Sequence, residues 1–98
     1  MSDYLEVIVE FMTAEQSGRK RSLQLQGYRP HFRVSPDSEM LGVEFMDGPD
    51  IVQPGKKISA TVKLLFTPEV SYEALEVGTA FEILEGPYTV GHGTVIRC

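Results

Sequence analysis

Several stretches of this chain place apolar side chains at every second position, and this spacing narrows the possible folds more than anything else in it. Leu5, Val7, Val9 and Phe11 sit at period two, with Glu6 and Glu10 between them. Ile58, Ala60, Val62, Leu64 and Phe66 repeat the pattern, with Ser59, Thr61 and Lys63 on the opposite face. Phe81 and Ile83 flank Glu82; further on, Val90, His92, Thr94 and Ile96 share one face, and Gly91, Gly93 and Val95 the other. A period of two is the mark of a strand with one face buried and one wet. Shorter strands are predicted over residues 22–26, 31–35 and 41–46.

The segments between these strands carry turn chemistry: Gln16-Ser17-Gly18, Pro36-Asp37, Asp47-Gly48-Pro49, Gln53-Pro54-Gly55 and Glu85-Gly86-Pro87. Pro54-Gly55 suits the centre of a type II turn, because proline presets the first torsion and glycine accepts the positive one. Residues 69–77 have the most helical composition, yet Pro68 and Gly78 bracket them closely. That segment is read as a loop with Tyr72 and Leu75 against the core. Short alternating strands without a convincing helix predict an all-β fold, a single closed antiparallel β-barrel of about six to seven strands. At 98 residues the chain is expected to form one domain over 1–98.

Composition excludes several classes of function. No apolar run approaches the roughly 18 residues of a membrane span, and the N-terminus lacks the basic start and apolar centre of a signal peptide. The single cysteine, Cys98, permits no intramolecular disulfide, so a reducing, cytoplasmic location is the expectation. The start at Met1, close to the first strand, favours a complete reading frame over an excised domain. His31, His92 and Cys98 follow no zinc spacing, so no metal is expected. Ser17, Ser22, Ser35 and Ser59 sit in no nucleophile motif, and a barrel this small fills its interior with side chains. An enzyme is therefore not expected, nor any cofactor.

Charge is unevenly spread. The net charge is −5, yet residues 16–36 contain no acid and hold Arg19, Lys20, Arg21, Arg29 and Arg33. The rest of the chain sets all 14 acids against Lys56, Lys57, Lys63 and Arg97. A basic segment on an acidic body points to an anionic partner or to pairing with the acids around it.

Three segments in order and spacing carry a family likeness: "GYRPHF" from Gly27, "VQPGKKISATVKL" from Val52 and "FEILEGPYTVGHGTVI" from Phe81. Together they resemble the C-terminal β-barrel, the third domain, of elongation factor Tu and related translational GTPases. The opening "VIVEFMTAEQSGR" resembles that family's first strand and turn, so the likeness covers residues 5–97. It implies that GYRPHF enters a barrel strand, with Tyr28 and Phe32 facing apolar neighbours and Arg29 beside an acid. Gly27 would permit the corner, and Gly91 and Gly93 close backbone approach. The family's GTPase work belongs to a separate domain; this chain has no G-x-x-x-x-G-K-[ST] segment, so no GTP is expected to bind.

In the family this barrel touches the backbone of aminoacyl-tRNA. Carried over position by position, the resemblance retains Arg19 and Gly86 and alters two contacts, to Lys20 and His31. It loses three, at Leu41, Thr67 and Leu84. Two functions follow as expectations. The first is a non-catalytic module that mimics the barrel and binds a protein partner, as a translation-related protein or as a decoy or immunity protein. The alternative is an RNA-binding module that uses Arg19, Lys20, Arg21, His31 and Arg33 on tRNA, with Gly86 as a further contact.

Overall fold

A computed structural model describes residues 3–12, 23–67 and 69–97. The strands in chain order are β1 (Tyr4–Phe11), β2 (Leu23–Gln24), β3 (His31–Arg33), β4 (Leu41–Asp47), β5 (Ile51–Val52), β6 (Lys57–Leu64), β7 (Ala80–Glu85) and β8 (Tyr88–Arg97). Six of them close an antiparallel barrel in the order β1-β6-β4-β3-β7-β8, with β8 returning to pair with β1. The other two, β2 and β5, form a small ribbon of their own. The fold is all-β, as the alternation requires. No helix among the described residues is long and apolar enough to cross a membrane.

The alternating residues point inward where the pattern says they should. Leu5, Val7, Val9 and Phe11 are buried on β1, and Ala60, Val62 and Leu64 on β6. Phe45 on β4 sits at the centre of the interior and meets three rings. Its centroid lies 6.2 Å from Phe11, 5.8 Å from Tyr28 and 6.1 Å from Phe32. Phe32 in turn stacks on Phe81 at 4.0 Å. Offset and edge-on ring pairs of this kind add about 0.5–1.5 kcal/mol each beyond their buried area. No charged residue is buried among those described, so the core is held by apolar packing.

Closure depends on β8 having almost nothing on its inner face. Gly91, Gly93 and Val95 point inward, while His92, Thr94 and Ile96 point out. In register, Gly93 stands between Phe81 on β7 and Val9 on β1; Gly91 stands between Ile83 and Phe11. A Cβ at Gly93 would come within 2.5 Å of the Ile8 carbonyl oxygen and 2.8 Å of the Phe81 ring. Large side chains on both neighbours thus fill the space that the glycines vacate, as small barrels require. At the opposite side, Gly27 turns the chain with φ of 85° just before Tyr28, a region that L side chains avoid. Its N–H donates to the Phe45 carbonyl at 2.9 Å.

Two details depart from simple alternation. Phe66 continues the β6 pattern in sequence, but β6 ends at Leu64 and Phe66 is exposed. The chain has begun to turn, and the Phe66 ring covers the outer face of Gly42, where an added Cβ would lie 2.4 Å from the ring. Between β7 and β8 a register shift leaves Val90 of β8 without a partner, and Val90 is buried beside Gly91 although it shares its parity with His92; on β7 Ile83 and Leu84 are both buried. A bulge of this kind breaks the two-residue period locally.

Gly93→Ala is expected to destabilise the protein by about 1–3 kcal/mol, the cost of forcing extra volume into a packed core. Thr94→Ala, on the outer face one residue away, should stay within about 0.5 kcal/mol of the parent. Urea unfolding followed by circular dichroism checks both; equal effects would contradict the closure argument.

Candidate functional site

The structure treats the basic segment in two ways. Arg19, Lys20 and Arg21 lie outside the described residues. The remaining candidates form a strip along β3 and its neighbour β7. His31 is half-buried and in register with Gly42 on one side and Leu84 on the other. Arg33 stands opposite Glu82, and its Nη2 lies 3.2 Å from Glu82 Oε2. Gly86 occupies the exposed β7–β8 turn with φ of 58°. Arg29 Nε sits 3.3 Å from Glu44 Oε1, so an acid does stand beside it. Both described arginines of the segment are thus turned to carboxylates of the barrel itself.

Glu82 is the centre of a longer arrangement. Its Oε2 accepts from Arg33 and also from Thr89 Oγ1 at 3.2 Å. In register, one outer row runs Arg33, Glu82, His92, Glu10, Lys57 across β3, β7, β8, β1 and β6. Cations stand at its ends and acids flank the histidine. Opposite charges on facing positions contribute modestly, roughly 0.2–1 kcal/mol per pair. His92 is therefore an outer-face strand residue. Among the described residues no group of His, Cys, Asp and Glu is placed to hold a metal ion.

The three positions that the family likeness marks as lost RNA contacts also have places in the fold. Leu41 is buried in the core, Leu84 is buried outside its connected cluster, and Thr67 is half-buried beyond β6. A buried leucine offers neither a donor nor surface to a phosphate, so at two of the three positions the side chain serves packing. Tyr28 instead donates its hydroxyl to Glu85 Oε2, which fixes the corner before β3 to the end of β7.

A hollow of about 540 Å³ lies beneath the Asp47-Gly48-Pro49 turn and is flanked by Glu6, Ile58, Thr61 and Ile96. Glu6 there pairs with Arg97, Oε2 to Nε 3.4 Å. At the end of the barrel where β3 leads into β4 and β6 into β7, two loops meet, and Tyr72 fastens the second of them to β4. Its hydroxyl donates to the Gly42 carbonyl at 2.7 Å and accepts the Phe66 N–H at 3.1 Å. Tyr72 and Leu75 are buried, in keeping with a loop over residues 69–77 that packs onto the core.

Sequence reasoning did not mark that loop end, because it followed the acid-free run at 16–36. The signal available was the complementary one. Residues 34–55 and 64–96 contain no lysine or arginine at all. No family model matches the chain.

Burial pushes the Tyr72 hydroxyl above its ordinary value; the hydrogen bond from Phe66 works against this, and the Glu39 carboxylate adds a further upward push. The folded phenol thus ionises at higher pH than the unfolded one. Its contribution is complete below about pH 10 and is lost as pH rises through the folded value. Tyr72→Phe is expected to cost about 1–3 kcal/mol at neutral pH, because Gly42 and Phe66 lose their partner. Above about pH 10 the gap between parent and variant should narrow in chemical denaturation. A gap that widened there would contradict the assignment.

Proposed function

We propose that this chain is a non-catalytic protein-interaction module. Its barrel resembles the C-terminal domain of elongation factor Tu and acts as a free-standing mimic of it, in translation or as a decoy or immunity protein. One observation carries the reading: the described arginines of the basic segment are paired internally, while apolar side chains stand exposed on a closed, packed frame. Tyr88 is 72% exposed, Ile51 63% and Val77 57%. Aromatic and aliphatic groups on a rigid frame favour recognition of a protein, since they desolvate well and lose little conformational freedom on binding.

The alternative, tRNA binding through the basic segment, requires cations free to meet phosphates. Arg29 and Arg33 would have to leave Glu44 and Glu82 first, and the carboxylates left behind would repel the same phosphates. Leu41 and Leu84, both buried, supply no contact.

Two measurements separate these readings. Affinity capture from the organism's own extract should recover a protein that, once purified, forms a complex of fixed stoichiometry in calorimetry. Fluorescence polarisation with labelled tRNA at low ionic strength should show no binding. Salt-dependent tRNA binding weakened by charge reversal at Arg19, Lys20 and Arg21, with no protein recovered, would overturn the module reading.

A further inference from the structure

We propose that the groove between the β3–β4 and β6–β7 loops docks a lysine- or arginine-bearing segment of a partner protein. The inference rests on the interaction-module reading and adds the surface and the chemistry of the partner. The groove is a hollow of about 330 Å³. Its apolar lining is Val34, Leu41 and Ala74, and Glu39 and Glu73 stand beside it. This volume lies at the low end of ligand pockets, about 300–1,000 Å³, a size for one or two side chains.

The charges of the two loops have one sign. Residues 34–40 contribute Asp37 and Glu39, residues 65–79 contribute Glu69, Glu73 and Glu76, and neither loop contains a lysine, arginine or histidine. All five carboxylate residues are exposed. The barrel's described arginines lie on strands or strand entries and are paired to Glu44, Glu82 and Glu6. The loop acids thus present a field that no described arginine quenches. A lysine or arginine stem lays its methylenes along an apolar floor while its head reaches a polar rim, which is the arrangement that Val34, Leu41 and Ala74 make with Glu39 and Glu73.

The groove is built before any partner arrives. On one wall the Ser38 N–H donates to the Ser35 carbonyl at 2.9 Å, and the two hydroxyls are 2.8 Å apart. On the other, the Leu75 N–H donates to the Tyr72 carbonyl at 3.0 Å, and the Glu73 N–H to Ser71 Oγ at 3.3 Å. Tyr72 bolts this second wall to Gly42, one residue beyond the Leu41 floor. The upward push of Glu39 on the Tyr72 hydroxyl agrees with a carboxylate that faces the second wall. Such preorganisation removes ordering cost from binding. Other occupants fit poorly: phosphate-bearing polymers and anionic lipid surfaces meet repulsion, and a second copy brings the same net charge of −5.

The test uses a fluorescent peptide of alternating lysine and leucine, with an alternating glutamate and leucine peptide as control, in polarisation titrations. The first should bind and the second should not. Ala74→Trp fills the groove without changing charge, and the double change E39Q/E73Q removes two rim charges. Each should weaken the lysine peptide by about tenfold or more. D47N/D50N removes the same charge at the other end of the barrel and should change affinity less than about threefold. Melting curves establish that each variant folds. Equal weakening by both double variants, no effect of Ala74→Trp, or no binding of the lysine peptide would overturn the groove. A natural partner whose binding ignored Ala74→Trp and E39Q/E73Q would also overturn it, while leaving the interaction module intact. Peptide binding that obeys all three variants, with no natural partner recovered, would sink the module reading and keep the groove.

Discussion

The return of β8 to β1 is the constraint on which the rest of the structure depends. Without it the sheet has two free edges, one at the start of the described chain and one at its end. An open edge exposes unpaired N–H and C=O groups and invites pairing with other chains. Closure removes both edges at once, but it brings β8 so near to β1 that side chains at residues 91 and 93 would strike the Glu10 and Ile8 carbonyl oxygens. Glycine at these two positions makes the approach possible. Phe81 and Ile83, directly across on β7, then reach over the bare backbone and complete the core. Chain closure and core packing are one event here, since the residues that permit the first create the space that the second fills.

A closed barrel also separates two kinds of chemistry, and that separation bears on function. Inside stands a connected set of rings around Phe45, with no charged residue among the described positions. The polar groups of the strands lie outside, arranged in cross-strand rows such as the one through Glu82 and His92. Strand positions on the outer face are constrained by these neighbours, because a change of sign at one position alters two pairs. Loop positions belong to no such row. Variation in recognition is therefore cheapest at the barrel ends, which is the usual division of labour between a rigid frame and the loops it carries.

The frame was largely legible in the sequence. Alternation located β1, β6, β7 and β8, and turn chemistry separated them; a period of two has few other interpretations when Gly and Pro interrupt it so regularly. Tyr28, Phe32 and Arg29 stand where the GYRPHF segment implied, against aromatic neighbours and beside Glu44. The two residues of β5 were too short to show a period, and they depend on pairing with a distant strand. Phe66 kept the period past the end of its strand, since periodicity carries no information about where the ladder hydrogen bonds stop. Leu84 was read as a surface position that had lost an arginine. It is buried all the same, directly after the buried Ile83, and Val90 across from it is buried at a bulge on β8; bulges leave little trace in composition.

Charge was the harder reading, for a physical reason. A cluster of bases in sequence is a surface feature only if the fold leaves those bases unopposed, and antiparallel pairing places residues far apart in sequence at facing positions. Arg33 meets Glu82 that way, and Arg29 meets Glu44, so the segment that looked most basic is locally neutralised at both described arginines. The loops behave in the opposite sense. Residues 34–40 and 65–79 are separate in sequence and unremarkable alone, yet the topology brings them to the same end of the barrel, where Tyr72 ties one to the start of β4. Acids from both then add, because no strand neighbour alternates with them. In a barrel the sign of a surface is thus set by which segments share an end and which positions share a row, and linear clustering is a poor guide to either.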